Sequence, residues 1–184
     1  MTETPLGAAR VFASHYQIVI TDDPTSHAGD AGLWSDADVA RGYSGTPRFR
    51  MIGTEADLND HWVTLAKANT KPDVSRWQRV ICCPVETVTG QIHVMGLMDN
   101  TATISAAVTP GVLAAYICVQ NVGVDHQTTG ELQAGTHVSL TDAEISARHD
   151  LERYHIALVP GAPEQSGMLV DRVSRSPLLG RGLS

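Results

Sequence analysis

The sequence of 184 residues predicts a mainly β protein, a two-layer antiparallel β-sandwich with two short helices. Three observations carry that expectation. Short segments with apolar and polar residues in alternation recur along most of the chain, separated by Gly, Pro, Asn and Asp. A nearly continuous apolar run over residues 112–120 follows Pro110-Gly111 and has strand length, as a strand buried on both faces would. Helix-start signals occur at only two places, and seven to nine short strands then pack most simply as two sheets. Hydrophobic residues at 42% and charged residues at 18% are globular values, and the length suits one core.

In chain order, residues 1–10 are small and polar with Pro5 and Gly7, and read as a loose leader. The single sandwich domain is then expected over residues 11–160. Its first strand should run through Tyr16, Ile18 and Ile20 on one face, with Gln17 and Thr21 on the other. Ser35 is placed to cap a helical turn, with Asp38 as its capping-box partner and Gly42 as the left-handed stop. Residues 48–53 and 61–67 alternate as strands around a polar turn, and Pro72 ends the second. Trp77 to Cys83 form one β run, and residues 86–97 cross a hairpin-like Thr89-Gly90 pair. Ala102, Ile104, Ala106 and Val108 line one face of a further strand. Residues 121–150 break the rhythm as a loop and helix insertion, in which Thr141 and Glu144 make a second capping box. Tyr154, Ile156 and Leu158 give the last strand, and residues 161–184 read as an extended or mobile tail.

The formal charge of −7 disfavours phosphate binding and favours a basic partner or simple solubility. Residues 21–60 hold eight carboxylates against three arginines, a net of −5. Three cysteines, with Cys82 and Cys83 adjacent, do not form a disulfide framework. Adjacent positions on a strand face opposite ways, so one of that pair should be buried and the other exposed. A cytoplasmic location is expected, because the first residues lack the basic and apolar segments of a secretion signal and no apolar run is long enough to span a membrane.

Signatures of catalysis are missing. There is no Cys-x-x-Cys, His-Glu-x-x-His, Gly-x-Ser-x-Gly or phosphate-binding glycine loop, so the chain is not expected to be an enzyme or to hold a cofactor or metal. His15, His93 and His155 fall out of phase with the apolar residues and should lie at edges or in solvent. His126, His137 and His149, with Asp125, Asp142, Glu144 and Asp150, could assemble a zinc or calcium site, but lack fixed ligand spacing. Asp125, His126 and Ser139 supply a catalytic triad by composition alone. Cys118 should be a small core residue, and Trp62 and Trp77 core plugs, while Trp34 stands at the mouth of the acidic helix.

One stretch carries a family likeness. Ser14-x-Tyr16-Gln17, then Asp22, then Trp34-Ser35-Asp36 and Gly42-Tyr43 resemble the competence protein J family of DNA-entry nuclease inhibitors. The likeness continues over residues 47–65 and from Gly90-Gln91-Ile92-His93 to Ala115, with an echo near Tyr154. It implies a sandwich, and a protein that blocks a cognate nuclease or related toxin domain. The insertion and the tail depart from the shorter members, which leaves open a secreted antibacterial effector or an NAD hydrolase as the target. Carboxylates competing with phosphates for a basic groove make Asp22, Asp23, Asp30, Asp36 and Asp38 the expected partner-binding residues, with Trp34 and Tyr43 as aromatic anchors. The same residues could instead cap and pack the fold. The alternative function is a non-catalytic sandwich that binds a small ligand, sugar or calcium through residues 121–150.

Overall fold

A computed structural model describes residues 2–25, 34–122 and 140–172. Two sheets face each other. One has six strands in the order β1 (Glu3–Ala13), β5 (Asn59–Ala68), β10 (Arg153–Pro160), β9 (Gly111–Gln120), β6 (Arg79–Thr87), β11 (Gly167–Asp171). The other has five, in the order β3 (Tyr43–Thr46), β4 (Phe49–Gly53), β2 (Gln17–Thr21), β7 (Gln91–Gly96), β8 (Ile104–Ala107). The helices are α1 (Asp36–Arg41) and α2 (Asp142–Ala147), each opened by the capping box expected of it. Pairings are antiparallel except β5 with β10, a parallel pair whose intervening chain is long enough to cross over.

The core between the sheets is built from one face of each strand. Ile18, Ile20, Ile52, Val63, Leu65, Ile81, Val94, Ile117 and Ile156 meet there. Both outer faces are also partly covered. Val19, Phe49, Met51 and Met95 pack under Trp34 and Leu97, and Val80, Cys82, Tyr116 and Cys118 pack under Val74, Trp77 and Leu169. Cys82 and Cys83 are therefore both buried, contrary to the expectation that one would be exposed, because β6 has cover on its two faces. The same covering explains why Val19 is buried, and Thr21, which alternation placed outward, is buried with its hydroxyl 2.9 Å from Asp23 O and 3.0 Å from Arg48 O.

The expected leader is instead most of β1. It pairs along the whole of β5 from Glu3–Ala68 to Ala13–Asn59, and Gly7 sits so close to Ile104 that a Cβ would meet its Cγ2 at 2.7 Å. Part of the expected tail is likewise β11, paired with β6, and residues 173–184 lie outside the described part. The Thr89-Gly90 turn is not a hairpin, since β6 and β7 belong to different sheets. It is a corner between layers, and Asp22 holds it.

Candidate functional site

At the opposite end of β2 from that corner, β1 passes into β2 through His15 and Tyr16, with φ of 55° and 58°, closed by Gln17 N donating to Ser14 O at 3.1 Å. The turn crosses between the two sheets, and its two central residues with positive φ are of the kind that usually calls for Asn and Gly, so two side chains with Cβ atoms make it strained. The neighbours hold it in place. Tyr16 O accepts from Thr54 N at 2.8 Å, and Asp57 Oδ1 accepts from Tyr16 N at 3.2 Å and from Leu58 N at 2.8 Å. Leu58 is itself left-handed, with φ of 47°. Tyr16 and Leu58 expose 42% and 44% of their surface.

This turn forms one wall of a cleft of about 320 Å³. Trp34, Val39 and Gly42 from the α1 region form the facing wall, and Ile81 and Met168 are the apolar part of the floor. Gly42 ends α1 at φ 81°, and a Cβ there would meet Ile81 Cδ1 at 2.8 Å, so only glycine brings α1 this close. Glu55 and Arg79 are the charged part of the lining. Arg79 pairs with Glu55 and, at 3.4 Å, with Asp171. Behind this pair, the buried Tyr154 hydroxyl donates to Glu152, and burial, with the Glu152 carboxylate beside it, pushes the phenol well above its ordinary pKa.

Residues expected to bind a partner divide into two groups. Asp22 is 2% exposed and points inward. Its Oδ1 accepts from Thr87 Oγ1, from Thr89 Oγ1 at 2.8 Å, from Val88 N at 3.1 Å and from Thr89 N at 3.2 Å, while Oδ2 accepts from Arg48 Nη2 at 2.8 Å. Burial alone would raise its pKa, but these hydrogen bonds outweigh it and hold the carboxyl far below the usual range. Asp38 accepts from Ser35 N at 2.8 Å in the capping box and pairs with Arg41. Tyr43 is 4% exposed, in the core, with the Arg41 and Arg50 guanidinium carbons 4.5 and 5.0 Å from its ring centre. These three build the fold, because each has its polar or aromatic surface already occupied within the chain.

The others keep contact with solvent. Asp23 accepts from Thr25 N at 2.9 Å at the corner end, Asp36 opens α1 and is exposed, and Trp34 is half-buried over Gly53. Asp30 lies outside the described residues. Asp22 and Asp23 stand at one end of β2 and the cleft at the other, about 14 Å away along a strand of this length. The carboxylates adjacent in sequence are thus not one patch.

His15 lies exposed in the turn, as expected of an edge residue. His93 Nδ1 is 2.9 Å from Ser105 Oγ; His155 is half-buried, stacks on Trp77 at 5.6 Å and lies 2.8 Å from Thr64 Oγ1. His126, His137, Asp125 and Ser139 lie outside the described residues, and among the described ones no three His, Cys, Asp or Glu side chains could hold a metal. No helix among them is long and apolar enough to cross a membrane. Sequence reasoning missed the cleft: His15-Tyr16 carries no Asn-Gly signal, and Ile81, Arg79 and Met168 reach it only through the sheet.

No family model matches the chain, and no curated protein matches it. Two solved structures share its fold. ComJ from Bacillus subtilis, inhibitor of the DNA degrading activity of NucA, superposes with a TM-score of 0.60 at 12% identity, over 86% of this chain and 98% of that one. Crocagin biosynthetic gene J superposes with a TM-score of 0.54 at 14% identity, over 90% of this chain and 100% of that one.

Proposed function

We propose that the protein is an inhibitor of the immunity type that binds a cognate nuclease or related toxin domain in the same compartment and blocks it. The observation that supports this best is the fold: the sandwich covers almost the whole of a nuclease inhibitor, and of the residues that the sequence likeness rested on, Asp22 builds its corner and Ser35 and Gly42 its cap. The chemistry is compatible. With a net charge of −7 the chain suits a basic, phosphate-binding target, and electrostatic steering speeds such an encounter.

The contact residues retained from the sequence are Asp23, Trp34 and Asp36, together with Tyr16 and Val39 beside the cleft. Asp36→Lys is expected to slow association with the target about two- to fivefold, more at low salt. Asp22→Asn, measured where the variant is folded, leaves association unchanged. The deciding experiment is capture of a partner with the tagged protein, followed by a DNA-degradation assay of that partner with the inhibitor at equal concentration. Loss of degradation supports the reading; a retained partner with full activity, or none retained stoichiometrically, overturns it.

A further inference from the structure

The side of the sandwich where β3 and β4 face β6 carries a positive charge that the inhibitor reading does not use. Arg50 is 6% exposed, and no carboxylate among the described residues pairs with it. Its Nε donates to Pro84 O at 2.9 Å and its Nη1 to Gly45 O, which ties β6 to β3. A guanidinium has five N–H groups, so both on Nη2 are left over. Buried charges in native proteins are normally paired, because desolvation disfavours them, and burial lowers the Arg50 pKa from its ordinary value. Asp38 acts on Arg50 from a distance, and it is already paired with Arg41.

Tyr43 brings a second guanidinium to the same place. The Arg41 guanidinium carbon lies 4.5 Å from the centre of its ring and that of Arg50 lies 5.0 Å from it. Arg41 donates from Nε to Tyr43 O at 2.9 Å and from Nη2 to Asp38, which leaves Nη1 unused on a side chain that is 40% exposed. The Tyr43 ring is occupied, but its hydroxyl has no hydrogen-bond partner among the described residues. Neither that hydroxyl nor Arg50 Nη2 is sealed from solvent in the way that Arg79 Nε is. Two guanidiniums and a hydroxyl around one ring can all donate, and the carboxylate among them, Asp38, is spent on Arg41 and on the cap of α1.

We propose that these side chains bind a compact oxyanion of the phosphate class, with Arg50 Nη2, Arg41 Nη1 and the Tyr43 hydroxyl as its donors. A phosphate offers several oxygens to charge-assisted hydrogen bonds and supplies the negative charge that the chain leaves out. The net charge of −7 disfavours phosphate over the surface as a whole, but here two guanidiniums meet one carboxylate. The donors are in place beforehand, because the backbone carbonyls of Pro84, Gly45 and Tyr43 already hold both guanidiniums. Tyr43 and Arg50 are each more than nine-tenths buried, so the site admits only the head of a ligand, the free ion or the end of a monoester. This binding goes beyond the inhibitor reading and does not depend on it.

The test uses the ¹⁵N-labelled full chain and follows the Arg50 Nε–H resonance, identified by its loss in Arg50→Lys. Inorganic phosphate is titrated at neutral pH and constant ionic strength, replacing chloride. A saturable shift with a Kd on the order of millimolar is expected for an ion of this size. Tyr43→Phe keeps the ring and removes an unpartnered hydroxyl, so it should unfold thermally with the parent while binding phosphate about fivefold more weakly. Arg41→Gln, which changes the more exposed guanidinium, should weaken phosphate about tenfold, and acetate should bind the parent about tenfold more weakly than phosphate does. Methyl phosphate binding as tightly as phosphate assigns the site to monoesters, and its exclusion assigns the site to the free ion. An unsaturable shift, equal binding of acetate, or a Tyr43→Phe chain that binds phosphate like the parent would overturn the site. Inhibition of a nuclease is measured separately, so failure here leaves that reading standing.

Discussion

Asp22 commits both carboxylate oxygens inside the protein, so its role is read best from stability. Because its folded pKa lies below the ordinary aspartate value of about 3.9, the unfolded chain binds the proton more tightly. Its contribution is fully present above that value and is lost as pH falls towards the folded one. Asp22→Asn is expected to cost about 2–4 kcal/mol at neutral pH, with the gap to the parent narrowing below about pH 4, measured by denaturant unfolding across pH. The thiols follow the same physics with opposite sign. Burial pushes Cys82 up to about 11 and Cys83 and Cys118 up to about 12, so a thiol reagent at pH 8 should label none of the three until the chain unfolds.

At the scale of elements, the β1–β2 turn conflicts with its own sequence. His15 and Tyr16 adopt the left-handed region where Asn-Gly belongs, and each such residue costs about 1–2 kcal/mol. Replacing the pair by His15→Asn with Tyr16→Gly should raise stability by about 1–2 kcal/mol in thermal or denaturant unfolding, and should weaken capture of the partner by removing the Tyr16 ring. A turn that keeps the costlier residues is consistent with selection for what they display. The helix α1 shows the reverse, since Ser35, Asp38 and Gly42 agree with the structure they make and its boundaries were legible from sequence. The corner at Thr89-Gly90 was not. Its residues suit a hairpin equally well, and what holds the chain at the crossing is Asp22, far away in sequence, which accepts from the Val88 and Thr89 N–H groups and the Thr87 and Thr89 hydroxyls.

Across the whole molecule, the acidic excess is less available than the composition suggests. Within residues 21–60, Asp22 pairs with Arg48, Asp38 with Arg41, Asp60 with Arg10 and Glu55 with Arg79. Among the described residues, what remains for a partner is Asp23 at one end of the sandwich and Asp36 and Asp57 at the other, with apolar Tyr16, Val39 and Leu58 beside the second group. Interfaces draw affinity from a few desolvated anchors more than from rim charges. The salt dependence expected of Asp36→Lys should therefore be modest beside the effect of changes in the cleft.

Alternation, capping boxes and the apolar run of β9 are local patterns, and they alone determined the sandwich class, both helices and most strand positions. Pairing between residues far apart decided the rest: β1 became a strand because β5 offers it a full edge, and β11 because β6 has one left over. The sequence likeness marked the fold-building residues Asp22, Ser35, Gly42 and Tyr43, since caps and packed rings leave a mark in nearby sequence. The cleft joins residues from the β1–β2 turn, the segment around α1, the β4–β5 connection, β6 and β11, and no local pattern records their meeting. Burial and backbone strain are properties of that assembly, and they arise only when the two layers close.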